Sequence, residues 1–524
     1  MNFWNKLTRV KDVDAILSES KSGHRLKRTL TWVDLIFMGI GAIIGAGIFA
    51  TIGTAAAGDM ERLGAGPALA LSFILTGVAC GFSAFCYAEF AAMVPIAGSA
   101  YTYSYATLGE LIAWIIGWDL IIEYAIGNVA VAISWSGYFQ ELLSGFGVHL
   151  PMWMCIDYRS ALARGGDIIQ NAPHLLGFPI VFNLPAVAIV VALTVLIVIG
   201  IKESAKFNLW MVGTKLVVLT FFCAVGLFYV RPENYVPFAP NGFSGILTGA
   251  SIVFFAYIGF DAVSTLAEET KDPGVNLPKG IIGSLLICTI IYVVVTVIFC
   301  GLIPFTALKG TLASEKAEPL TMALKYVGKV NPNGFFSKGF LDLAAGIVAF
   351  GSVIAHTAVL LVFQIGQPRI FYSMSRDGLL PKFFMRVHPV YKTPAIATIF
   401  TGVVVAFFAA FMNIDEMVDL CNIGTLFAFV LVCIGIIILR VRDPERHRPF
   451  KVPGGITIPV LGVLSCGMLI YGLTYTTWIR FFLWLFVGLG IYFLYGIRHS
   501  RLNPDNAILP EEAAHGPADD VDKF

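Results

Sequence analysis

Long apolar runs dominate the chain, broken by short polar stretches. A bilayer-spanning helix takes about 20 mostly apolar residues. Runs of that kind fall near 32–57, 66–94, 110–138, 184–201, 207–229, 245–267, 280–302, 340–366, 394–412, 416–439, 457–475 and 478–497. The pattern predicts an all-α membrane protein of twelve spans. The first apolar run is too long for a signal-peptide core, so no cleaved leader is expected. Around the spans lie a polar segment at 1–31 and an acidic tail at 498–524, which the composition predicts to be disordered. Spans 1–5 occupy 32–229, spans 6–10 occupy 245–439, and spans 11–12 occupy 457–497.

Composition agrees with lipid as the solvent. Hydrophobic residues make up 57% of the 524 and charged residues 13%; soluble domains carry roughly twice that charge. The net charge of +1 offers no concentrated basic face for nucleic acid. Nine cysteines stand singly, without metal-ligand spacing, and read as small buried hydrophobes, so no metal or other cofactor is expected. With the N-terminus inside, the inner segments hold 24 Lys and Arg and the outer ones 10. This bias predicts both termini in the cytoplasm. One of the 35 basic residues falls in no loop: Lys215, inside span 5. Two loops are long enough to carry structure. Residues 139–183 predict an ordered external cap, and 367–393 a short helix followed by a Pro-punctuated loop.

Two spans are interrupted. Span 1 carries GIGAIIGAGIF (39–49), and span 6 carries FFAYIGFDAVSTLAEET (254–270) with Gly259 beside Asp261. Gly39 and Gly41 suit close helix packing. Gly45-Ala46-Gly47 puts two glycines around one small residue and disfavours helix. Spans 1 and 6 head two five-span units, and an odd number of spans makes the second unit enter from the opposite side. Interrupted spans at matching places of inverted repeats point to a transporter's substrate site. Freed N–H groups at a half-helix N-terminus attract an anion, and freed carbonyls face a cation. An α-amino acid carries both charges on one carbon.

LKRTLTWVDLIFMGIGAIIGAGIF (26–49), CYAEFAAMVPIAGSAYTYSYATLGELIAWIIGWDLIIEY (86–124), IGFDAVSTLAEETKDPGVNLPKGI (258–281) and QPRIFYSMSRDGLLP (367–381) together are specific. On them the chain resembles the amino acid–polyamine–organocation superfamily, and within it bacterial relatives of the cationic amino acid transporters, over about 25–495. The resemblance implies a leucine-transporter-like fold with a 5+5 inverted repeat and broken spans 1 and 6. It implies that the substrate carboxylate meets the Gly45-Ala46-Gly47 segment at the amides of Ala46 and Gly47. The ammonium would meet carbonyls matching Ile43, Phe255, Ala256 and Ile258.

Lys215 lies about two turns into span 5. A charged lysine near the bilayer centre costs at least ~2.5 kcal/mol and is expected to face the bundle interior. Snorkelling to the interface is the plain alternative. In proton-coupled members of the superfamily a span 5 lysine stands where sodium-coupled relatives hold sodium, so the resemblance implies protons. Glu123, with Asp119 one turn earlier, is the second proton-coupling candidate. It either balances Lys215, relays a proton, faces a cationic side chain, or is a structural carboxylate. Asp261 is placed to meet amides freed at the span 6 break, and His356 reads as a packing residue. Glu268, Glu269, Arg369 and Arg376, with Glu89 and Asp34, form either an inner gate or ordinary interfacial charge.

The expected function is proton-coupled symport of L-amino acids across the cytoplasmic membrane. Exchange of one amino acid for another, and amino acid sensing without transport, are the alternatives. No HExxH, GxSxG or P-loop pattern occurs, so an enzyme is not expected.

Overall fold

The computed structural model describes residues 7, 9–11, 28–59, 61–95, 99–164, 167–200, 205–311, 318–332 and 334–503. Most of the 1–31 segment and the tail beyond Asn503, including its expected disorder, lie outside the described residues. The described chain is nearly all helix. Among the described residues, eight helices are long and apolar enough to cross a membrane, and a bent pair at Trp32–Ile43 and Gly47–Ala57, taken as one span, makes a ninth. Three shorter apolar helices, Leu184–Ile199, Ala395–Phe411 and Thr457–Tyr471, occupy the other expected runs.

The principal helices are α1 (Trp32–Ile43), α2 (Ile52–Ala57), α3 (Leu69–Met93), α4 (Ser99–Thr107), α5 (Glu110–Ile121), α6 (Gly127–Gly145), α7 (Leu184–Ile199), α8 (Ala205–Leu227) and α9 (Gly242–Val253). They continue as α10 (Pro273–Leu302), α11 (Lys338–Arg376), α12 (Ala395–Phe411), α13 (Ile414–Arg442), α14 (Thr457–Tyr471) and α15 (Tyr475–Ile491). Thr31 starts α1 through a reciprocal capping box with Asp34, which accounts for that acid locally. On α10, Leu286, Ile290, Val294 and Val297 recur at helical spacing and are 41–60% exposed. On α3, Leu71, Ile74 and Val78 do the same. Such stripes are costly in water and natural against acyl chains. α5 and α6, joined through a wide turn, are instead buried nearly all round.

The described residues of the segment 139–183 carry short helices and a hairpin of their own. A satellite core of Ile156, Ala161, Ala172 and Val181 supports an antiparallel hairpin of β1 (His174–Leu175) and β2 (Phe178–Pro179). Its two-residue turn, Leu176-Gly177, has positive φ at both positions, which suits a tight hairpin. The 367–393 loop differs from expectation. No separate helix opens it; α11 runs on through Pro368 to Arg376, and only a 3₁₀ turn at Lys382–Met385 follows. A proline removes one N–H but does not end a helix whose flanks are held by neighbours.

Polar ties join helix ends. Glu89, fully buried near the end of α3, pairs with Arg440 and with Arg448 at 3.3 Å, and accepts the Val452 N–H at 2.7 Å. It belongs to this clamp on the end of α13 and the loop after it rather than with Arg369 or Arg376. Lys11 and Tyr101 both donate to Asp377 after α11, at 3.2 and 2.8 Å. Removing one member of a buried ion pair costs about 3–5 kcal/mol, because its partners keep their charge without compensation. Glu89→Ala is therefore expected to lose about 3 kcal/mol of stability. A drop in the unfolding midpoint in detergent checks this; an unchanged midpoint would show the clamp to be dispensable.

Candidate substrate site

α1 stops at Ile43. Ile44 turns extended (φ −75°, ψ 106°), and the chain re-enters helix through a wide π-type turn at Gly47–Thr51 before α2. The two halves are bent by 41°. α9 similarly gives way to a 3₁₀ turn at Phe254–Tyr257 and an extended Ile258 (φ −60°, ψ 135°). Gly259 then takes φ +112°, and a 3₁₀ stretch, Asp261–Glu269, completes the crossing. Both sequence-predicted breaks are present, and they face one another. A Cβ built on Gly47 would stand 2.2 Å from the Ala256 Cα, and one on Gly259 would stand 2.9 Å from the Ala42 oxygen. The structure thus brings Gly47 against Ala256, and Ile43 to the same residue through a shared hydroxyl partner, while Gly45 packs on Val359 of α11; Ile43, Gly45, Ala46, Gly47, Phe255, Ala256 and Ile258 are all buried. Gly47 also serves packing: a side chain there meets Ala256 before any ligand.

Three carbonyls at the breaks, those of Gly41, Ile43 and Ala256, have side-chain donors. At the end of α1, Ile40 oxygen keeps the last helical bond, from the Ile44 N–H at 2.9 Å, and the freed Gly41 oxygen takes the Lys215 Nζ at 2.6 Å. The Tyr292 hydroxyl lies 3.1 Å from the Ile43 oxygen and 2.8 Å from the Ala256 oxygen. Lys215, wholly buried on α8, does not snorkel. A cation at a helix C-terminus complements the partial negative charge of the last carbonyls. Cys288, one turn before Tyr292 on α10, lies within electrostatic reach of the amine. Tyr292 carries no motif signal; one tyrosine in an apolar helix is ordinary until the fold places it between two breaks.

Glu123 is not beside Lys215. It sits in a second π-type turn, Ile122–Ile126, between α5 and α6, within reach of Asp261 and near Thr425 of α13. Such turns often mark functional positions. Asp261 lies beside the Gly259 and Ala262 amides without a well-formed hydrogen bond to either. Neither of its oxygens, nor Glu123 Oε2, nor either Asp119 oxygen has a hydrogen-bond partner among the described residues. Buried polar groups generally find partners, and in a membrane interior they face water, a proton or substrate. His356 bonds to Ser134 Oγ at 2.7 Å and Ser352 oxygen at 2.6 Å and packs on Phe49, the packing role expected of it.

A cavity of about 490 Å³ opens at the other end of α2 and α13. Its lining includes Arg62, which bonds to Asp59 and to Asp419 and lies 3.7 Å from Asp415. Burial pushes the Asp59 carboxyl up, but the Arg62 guanidinium outweighs it and holds the group below the usual carboxylate range. None of the residues assigned to the zwitterion lines this cavity. No group of three or more His, Cys, Asp or Glu placed to hold a metal occurs among the described residues.

Lipid-facing stripes, paired helix breaks and donors aimed at freed carbonyls define a helical membrane transporter. Residues 30–495 match the amino acid permease family, and the chain belongs to that family within the amino acid–polyamine–organocation superfamily. Such permeases are transporters rather than enzymes. The chain is 46% identical to the branched-chain amino acid permease BcaP of Bacillus subtilis, over 94% of this chain and 98% of that one. It is 43% identical to the methylthioribose transporter of the same organism, over 95% and 100%. It is 38% identical to vacuolar cationic amino acid transporter 4 of Arabidopsis thaliana, over 84% and 68%.

Gly259 tests the second break. Its φ and its contact with Ala42 both exclude a Cβ, so Gly259→Ala is expected to cost roughly 1–3 kcal/mol of stability and to weaken amino acid binding. Thermal unfolding with and without L-amino acids measures both, and a variant equal to wild type would show the positive φ to be unnecessary.

Proposed function

We propose that the protein is a proton-coupled symporter of L-amino acids in the cytoplasmic membrane. It has both termini inside and twelve spans, and its spans 1–5 and 6–10 form a leucine-transporter-like 5+5 inverted repeat. The substrate carboxylate meets the amides of Ala46 and Gly47 in the Gly45–Gly47 segment. The ammonium meets the carbonyls of Ile43, Phe255, Ala256 and Ile258. The observation that carries this reading is the 2.6 Å bond from Lys215 to the Gly41 oxygen, at the end of the broken helix that holds the substrate.

The mechanism is electrostatic. Protonated Lys215 holds the end of α1 to α8; when it gives its proton to the cytoplasm, the charge-assisted bond is lost and α1 is free to swing. A proton shifts such an equilibrium only by its differential affinity for the two states, so coupling requires Lys215 to hold its proton differently in each. Glu123, beside Asp261, is the alternative proton carrier, the one that takes the role if Lys215 does not. Exchange differs in one respect: the unloaded carrier would not reset.

Lys215→Ala is expected to abolish accumulation driven by an imposed pH gradient in vesicles while amino acid binding persists, weakened at most. Accumulation by this variant against a substrate gradient overturns the assignment and passes the role to Glu123. Wild-type uptake that requires internal amino acid points to exchange instead. Recognition of the carboxylate has its own check. A methyl ester lacks the charge that half-helix amides attract, so esters are expected to compete at least tenfold more weakly than free amino acids. That factor corresponds to about 1.4 kcal/mol. Equal competition removes the carboxylate assignment, and a thermal shift with methylthioribose but with no amino acid removes the zwitterion.

A further inference from the structure

The Tyr292 hydroxyl bridges the two carbonyls, Ile43 and Ala256, that belong to opposite breaks. Its place is fixed by packing. The ring is fully buried, 5.5 Å from Phe73 and edge-on to Tyr257 at 5.4 Å. α10 therefore aims a hydroxyl donor at the same half-helix end that α8 supplies with the Lys215 amine. A hydroxyl has a single proton, which two acceptors at 2.8 and 3.1 Å must share. An ammonium brings three donors and a charge, and its bonds to carbonyls are roughly twice as strong as neutral ones.

We propose that the Tyr292 hydroxyl is an internal stand-in for the substrate ammonium. It satisfies the carbonyls of Ile43 and Ala256 whenever substrate does not, and an arriving amino acid displaces it. This rests on the assignment of those carbonyls to the ammonium made above. Bare carbonyls in a low-dielectric interior would be costly, so the stand-in keeps the two breaks together through the part of the cycle without substrate. Displacement also unties α10 from both breaks in one event, which gives substrate a differential grip on the two arrangements. The same competition lowers affinity.

The test compares wild type with Tyr292→Phe in detergent, titrating L-alanine, L-leucine and L-arginine by calorimetry and following thermal unfolding. The Phe variant keeps the ring and loses the hydroxyl. It is expected to unfold at a lower temperature without substrate and to bind the amino acid that wild type binds about three- to tenfold more tightly. Weaker binding overturns the proposal, because the hydroxyl would then be a substrate ligand. Unchanged affinity also overturns it, leaving a structural bond that substrate does not contest. If neither protein responds to any of the three amino acids, the zwitterion reading itself fails and the stand-in falls with it. Should the Phe variant not survive purification, Tyr292→Met also lacks the donor and carries the same expectations.

Discussion

Backbone carbonyls released where a helix breaks inside a membrane cannot be left bare, and much of the interior is arranged around that constraint. Ile40, Gly41 and Ile43 end α1, and Ala256 belongs to the second break. Each of these carbonyls has a donor: Ile40 the last helical bond of α1 itself, Gly41 a lysine on α8, and Ile43 and Ala256 a tyrosine on α10. The positions of α8 and α10 beside the broken pair follow from this need. So does burial of a lysine, which would otherwise be hard to explain at 0% exposure. An interaction that is individually modest thus dictates which helices must stand next to which.

The breaks were legible because glycine leaves a local signature. Gly45 and Gly47 flank one alanine, and Gly259 sits beside an acid in an apolar run, so helix is disfavoured there whatever the tertiary context. Lys215 was legible because charge in a span is rare. Its partner, the Gly41 carbonyl at the first break, depends on which helix α8 comes to lie against. Tyr292 and the pairing of Glu123 with Asp261 were not legible, since both depend on which helices become neighbours. The wide turns at Gly47–Thr51 and Ile122–Ile126 also lack a composition signal; IEYAI reads as ordinary helix. Glu89 shows the same limit. Its charge was visible near the end of a span, but its partners Arg440 and Arg448 lie about 350 residues further on.

Helix lengths were legible in their centres and not at their ends. The apolar run at 340–366 is the middle of a 39-residue helix that continues through Pro368. Polar residues beyond an apolar run look like loop in a hydropathy reading, yet a helix projecting past the bilayer is free to carry them. The converse holds for α7 and α12, of 16 and 17 residues, which are shorter than the usual span.

Before α1 begins, the chain pairs with the far end of the other broken element. Thr29 and Leu30 amides bond to the Glu269 oxygen at 2.9 and 3.0 Å, and the Lys271 amide returns to the Leu30 oxygen at 2.9 Å. This short parallel bridge yokes the two segments at one end, as Gly47 against Ala256 yokes them at the middle. A pair tied at two heights moves together, so a swing of α1 carries the second broken element with it. A binder that grips the chain around Leu30 would brake both segments at once without approaching the substrate.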